Sequence, residues 1–230
     1  MIVAGLILLA VGGADLLRRH VGARRWVAYV AAGILLIVLA AAVDAVAAAI
    51  AALLIAAAWL LAVRDDGSSR AGLAVAAALV VVCAAAVVWV PARASGGASI
   101  VGPWGVLSPD ALVAVLGAAV FLTESGNVLV RSALRREHAV SPEASGLKGG
   151  RLIGPLERLL VFALTLAGAY TLLAAVLAAK GIVRFPEISR DGESGERAEY
   201  FLIGSLVSWA SALAAALLVW WGVAGGAGVR

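Results

Sequence analysis

Residues 26–63 form one apolar run that contains a single charged side chain, Asp44. As one α-helix the run would be about 57 Å long, against a bilayer hydrocarbon core of about 30 Å. The chain must therefore reverse near Asp44, although no Gly or Pro stands beside it. Blocks of the same kind recur, giving seven apolar segments at 2–17, 26–43, 45–63, 71–90, 110–130, 152–179 and 200–222. They are solidly apolar, whereas strands of a membrane barrel alternate residue by residue, so a barrel is excluded. At 63% apolar the chain lies far outside soluble composition, which runs at about 45–50%. The sequence predicts an all-α polytopic membrane protein with about seven transmembrane helices in one domain spanning 1–230.

Basic residues orient such a bundle, because Lys and Arg accumulate in cytoplasmic loops. Seven spans with the N-terminus outside and the C-terminus inside leave Arg93, Lys180, Arg184, Arg190 and Arg197 outside, and the other thirteen of the 18 basic residues inside. Fusing the second and third segments would carry the basic residues from Arg131 to Arg158 outward, against the bias. Trp26, Trp59, Trp89, Tyr200, Trp220 and Trp221 fall at span ends, where amphipathic rings favour the headgroup region. Trp209 lies mid-span and is expected to pack inside. Three loops stand out. Residues 91–109 are rich in Gly, Ser and Pro and carry Trp104, 132–150 are basic, and 180–199 form a mixed-charge outer loop begun by Pro186.

Several chemistries can be set aside. The one cysteine, Cys83, permits no disulfide or thiol metal site within the chain. His20 and His138 both fall in charged loops. No basic residue precedes the first apolar run, so a cleavable signal peptide is not expected. Metalloprotease, serine-hydrolase and nucleotide-binding motifs are absent, and no metal or cofactor is assigned. Thr123-Glu124-Ser125-Gly126 only faintly matches the serine motif of rhomboid proteases, without its first Gly or a transmembrane histidine.

The candidate site lies in the fifth and sixth segments. Phe121–Arg131 places Glu124, Asn127 and Arg131 inside an apolar helix that starts at Ser108-Pro109-Asp110, an N-cap followed by a first-turn proline. Intramembrane ionisable residues face protein or water because hydrocarbon penalises them by about 2.5–3.5 kcal/mol each. Glu124 and Arg131 share a face about 10 Å apart along the axis, with Asn127 about 60° round. Glu157 sits at a similar depth on the sixth segment, with Gly154, Val161 and Gly168 on its face. Arg158 is about 100° away, able to turn inward or reach the headgroups. Two arrangements follow. Either Glu124, Asn127 and Glu157 line a shared wet cavity tuned by Arg131 and Arg158, or the two glutamates and two arginines form a net-neutral quartet that fixes helix register.

Other polar residues have plainer readings. Asp15 is three and four residues from Arg18 and Arg19, the spacing of an interfacial helix pair. Lys180 and Arg184 close the sixth segment, where they would snorkel or bind an anionic headgroup. Gly204, Ser208, Ala212 and Ala216 recur every four residues on the last span as a flat packing face.

Gly150-Arg151-Leu152-Ile153-Gly154, with Leu156-Glu157-Arg158-Leu159-Leu160, resembles the C-terminal region of a family of uncharacterised bacterial integral membrane proteins. Ala178-Ala179-Lys180, Arg184-Phe185, Glu187 and Ala198-Glu199-Tyr200-Phe201-Leu202-Ile203-Gly204-Ser205 continue the same order. The likeness covers roughly residues 150–210. Residues 1–20 hold Asp15 and His20 but do not reproduce the His- and Asp-bearing first helix that opens such proteins. The resemblance implies a multi-pass protein of the bacterial cytoplasmic (inner) membrane and draws notice to Glu157, Arg158, Lys180, Arg184 and Glu199, but it supplies no mechanism.

The function expected from the sequence is binding or translocation of a small polar or ionic solute at Glu124, Asn127, Arg131, Glu157 and Arg158. The alternatives are an enzyme or carrier for an anionic lipid-linked substrate, and a scaffold subunit of a membrane complex. Expected partners are the bilayer with its anionic lipids, and a second copy or a membrane subunit, but not nucleic acid.

Overall fold

A computed structural model of the chain describes residues 1–22, 25–64, 72–90, 100–102, 105–136, 150–188 and 196–227. Its helices are α1 (Ile2–His20), α2 (Arg25–Ala41), α3 (Val46–Ala62), α4 (Gly72–Trp89), α5 (Pro109–Arg136), α6 (Gly150–Leu166), α7 (Tyr170–Ile188) and α8 (Glu196–Ala227). A short antiparallel pair, β1 (Ile100–Gly102) and β2 (Gly105–Leu107), lies between α4 and α5. Trp104, the residue expected to dip into the interface, lies outside the described residues.

Among the described residues, three helices, α4, α5 and α8, are long and apolar enough to cross a membrane, not the seven expected. The shortfall has two causes. Charged side chains interrupt α1 (Asp15, Arg18, Arg19) and α6 (Arg151, Glu157, Arg158), and α2 and α3 stop at 17 residues each.

The reversal at Asp44 is present. Asp44 adopts φ 51°, a left-handed conformation that Asp tolerates better than most side chains. Ala45 N donates to Ala40 O at 2.8 Å and Asp44 N to Ala41 O at 3.3 Å, the paired bonds that satisfy the last carbonyls of a helix. The same motif recurs where none was expected. Gly168 has φ +67°, Ala169 N donates to Leu164 O at 3.0 Å, and Gly168 N to Thr165 O at 3.1 Å. The single span expected at 152–179 is therefore a hairpin of α6 and α7. Lys180 Nζ lies 2.6 Å from Glu157 Oε1, which only a folded-back α7 allows. The expected outer loop at 180–199 is correspondingly shorter, because α7 continues to Ile188.

This hairpin also overturns the opposed termini. Successive helices alternate in direction, and an even number brings the ends together: a Cβ on Gly222 of α8 would lie 2.6 Å from Met1 Cγ. At the centre stands α5, packed by α1, α8, α6 and α4; α3 lies behind α1, α2 beside both, and α7 outside α6 and α8. The α1–α5 contact is parallel and backbone-close. A Cβ on Gly5 would fall 2.7 Å from Ala114 N, and one on Gly12 2.6 Å from Phe121 N. The capping expected at Ser108 is present, Ala111 N donating to its Oγ at 3.2 Å. On α8, Ser208, Ala212 and Ala216 are buried within the bundle, so the small-residue face is already covered by the chain itself.

Candidate functional site

Polar side chains from α1, α3, α5, α6, α7 and α8 meet in one layer across the bundle. On the α1 side, Asp15 is buried and its Oδ2 accepts from Trp59 Nε1 at 3.0 Å and Ser125 Oγ at 2.6 Å. Arg18 pairs with Asp15 Oδ1 at 2.8 Å and donates to Val63 O at 2.8 Å. The ion pair is close, though not aligned as a hydrogen bond. Arg19, next along α1, pairs with both oxygens of Glu124. The helix pair expected of Asp15 is thus present with Arg18, and its carboxylate is buried within the bundle. Trp59, expected among the headgroups, is 2% exposed and serves as its donor.

On the opposite face of α5 lies Arg158, only 1% exposed despite its charge. Its guanidinium donates to Leu122 O at 2.7 Å, Thr123 O at 3.1 Å, Asn127 Oδ1 at 2.5 Å and Ser208 Oγ at 3.3 Å. Gly126 makes this possible, since a Cβ there would stand 2.5 Å from Arg158 Nε. Beside it, Glu157 accepts two bonds from Lys180 Nζ, each 2.6 Å, and a third from Trp209 Nε1 at 2.6 Å. The Lys180 ammonium also lies over the rings of Phe201 and Trp209, 5.4 Å and 5.3 Å from their centroids.

This geometry revises the pairing expected of the site residues. Glu124 faces α1 while Arg158 and Glu157 meet the other side of α5, so the two glutamates do not share a cavity. The direct ion pairs are Arg19–Glu124 and Lys180–Glu157. Asn127 and Arg158 do come together. Arg131 is half-buried one turn further along α5. Lys180 points into the bundle and not to the headgroups, and Arg184 lies on α7 four residues before its end.

Each carboxylate of the layer has a cation, so Arg158 is the surplus positive charge. Its hydrogen-bond partners are all neutral oxygens, and the Glu157 and Glu124 carboxylates act on it through space without pairing directly. No group of metal-ligating side chains occurs among the described residues. A cavity of about 140 Å³ lined by Thr165, Leu166, Tyr170, Ala216, Leu217 and Trp220 lies near the α6–α7 turn, and apolar atoms dominate its wall.

Sequence reasoning missed Asp15, Arg19, Trp59, Ser125, Phe201 and Trp209 as members of the layer. Arg19 and Glu124 are separated by 105 positions, and no local spacing reports a partner so distant. Comparison with known protein families, with curated proteins and with solved structures finds no match to the chain in any of the three.

Proposed function

We propose that this is a multi-pass protein of the bacterial cytoplasmic membrane that binds or moves a small polar or ionic solute through its intramembrane polar layer. In this reading all eight helices cross the bilayer and both termini lie outside. The distribution of basic residues supports it. Leaving aside Arg18, Arg19, Arg158 and Lys180 within the layer, twelve of the remaining fourteen Lys and Arg fall near or beyond the helix ends on one side, by their place in the chain. Only Arg93 and Arg230 fall on the other. That is a stronger bias than seven spans give, and it marks the basic side as cytoplasmic.

One observation carries the functional part: Arg158 is buried at the level of three ion pairs without a carboxylate of its own. A surplus buried charge is a poor way to hold helices together, because an apolar residue of similar volume does so at less cost. Groups of this kind mark solute paths in membrane proteins. Half-buried Thr123 and Asn127 border the layer and offer a test. With Cys83 replaced by Ala, Thr123→Cys and Asn127→Cys should react with a membrane-impermeant thiol reagent applied from the cytoplasmic side. Val81→Cys on the exposed apolar face of α4 should not. Protection of both layer positions would mean a dry interior and end the reading.

A second reading has its own support. The α6–α7 hairpin brings the position of Arg184 to the same half of the molecule as Arg131, Arg135 and Arg151, the residue type that an anionic lipid-linked substrate would need. Saturable binding of anionic lipid, lost on Arg135→Gln, would favour it.

A further inference from the structure

The environment of the Lys180 ammonium is that of a bound amine ligand. It is chelated by both oxygens of Glu157, each at 2.6 Å, and two aromatic faces lie 5.3 and 5.4 Å away. A carboxylate with aromatic walls is the general chemistry of ammonium recognition. Trp209 completes the box, donating its indole N–H to Glu157 Oε1 at 2.6 Å while turning its ring to the cation. Three residues on two helices build the receptor: Glu157 on α6, and Phe201 and Trp209 on α8. The occupant alone comes from α7.

That occupant sits on the most loosely held helix near the site. Among the side chains of 170–183, the polar ties between α7 and the rest of the bundle pass through Lys180. Apolar residues of α7 remain open to the surroundings, Tyr170 at 65%, Ile182 at 73% and Val183 at 73%. Its hinge, Gly168, has no atom within 4 Å of where a Cβ would stand. A leucine at 180 would anchor α7 to an apolar bundle at lower cost than an ammonium that must be desolvated. A lysine is the residue of choice when the contact has to be exchangeable.

We propose that Glu157, Phe201 and Trp209 form a binding site for a small primary ammonium solute, and that Lys180 is its tethered competitor. Solute entry displaces the lysine and frees α7 to swing on Gly168. The proposal rests on the solute-binding reading above and names the class of solute.

Methylammonium reproduces the end of the lysine side chain and is the probe. In lipid nanodiscs, Lys180→Ala should bind methylammonium with a dissociation constant at least tenfold below that of the wild-type protein, measured calorimetrically. Wild-type protein should bind weakly but saturably. Glu157→Gln added to Lys180→Ala should weaken binding at least tenfold. Lys180→Gln, which keeps chain length and loses charge, should match Lys180→Ala and serves if the latter does not fold. Absence of saturable binding in a folded, monodisperse Lys180 variant would overturn the proposal. So would binding that ignores Glu157→Gln, or a wild-type protein that never binds; each would leave Lys180 as a structural latch. Thiol labelling at Thr123→Cys and Asn127→Cys separates the two claims, since a wet layer without amine binding sinks the ammonium site alone.

Discussion

Gly126→Ala offers the sharpest check on how Arg158 is held. The new methyl would stand 2.5 Å from Arg158 Nε, 2.9 Å from Cζ and 3.0 Å from Cδ, so the guanidinium must leave its place. Leaving breaks its four bonds to Leu122 O, Thr123 O, Asn127 and Ser208. Interhelical hydrogen bonds in membrane proteins average about 0.6 kcal/mol, which makes the loss about 2.4 kcal/mol. Replacing a helical Gly by Ala returns up to about 1 kcal/mol. The substitution should therefore destabilise the wild-type protein by about 1.5 kcal/mol. With Arg158→Met already in place there is no guanidinium to expel, and the same Gly126→Ala should stabilise by up to about 1 kcal/mol. A double-mutant cycle read by unfolding in mixed micelles should thus give a coupling of about 2.4 kcal/mol, with a change of sign between backgrounds. Additivity to within about 0.5 kcal/mol would refute the placement of Arg158 against Gly126.

Other outcomes follow from single features. Gly168→Ala should lower stability by about 1–2 kcal/mol through backbone strain alone, since nothing lies near the site of the methyl, and Gly168→Asn should cost less; equal effects would argue against a left-handed residue there. Trp59→Phe removes one of the donors to the buried Asp15 carboxylate and should cost about 1–3 kcal/mol. Asp15→Asn on that background should recover part of the loss, and no recovery would mean that the indole acts through packing only. For topology, periplasmic reporters fused at either terminus should both be active and cytoplasmic ones silent. A C-terminal fusion with the opposite behaviour would restore an odd number of crossings.

What the sequence disclosed depended on how far apart the interacting residues stand. Helix content and the turn at Asp44 followed from a length argument on one run of the chain. The hairpin at Gly168 was open to the same argument, because 152–179 as a single helix would measure about 42 Å against the same core of about 30 Å. Reading Gly168 with Gly154 and Val161 as one helical face overlooks that Gly is the residue best suited to end a helix in the left-handed conformation. That choice alone misdirected the C-terminus, the side assigned to Lys180 and Arg184, and the partner of Glu157. Correcting it moves four basic residues, Lys180, Arg184, Arg190 and Arg197, to the half that already held most of the others, so the charge bias itself favoured the hairpin over the single span. The polar layer was legible only in part for a different reason. Glu124, Asn127, Glu157 and Arg158 declare themselves as charged or polar residues at lipid depth. Asp15–Trp59 and Arg19–Glu124 instead depend on α1 lying parallel to α3 and α5, the latter through backbone-close contacts at Gly5 and Gly12. Those glycines sit seven apart on α1, a small-residue spacing of the kind that lets membrane helices approach. Joined to the orphan charges nearby, that spacing marks α1 as the partner of the fifth segment, and it is the one signal in the chain from which the ion pair of Glu124 could have been found.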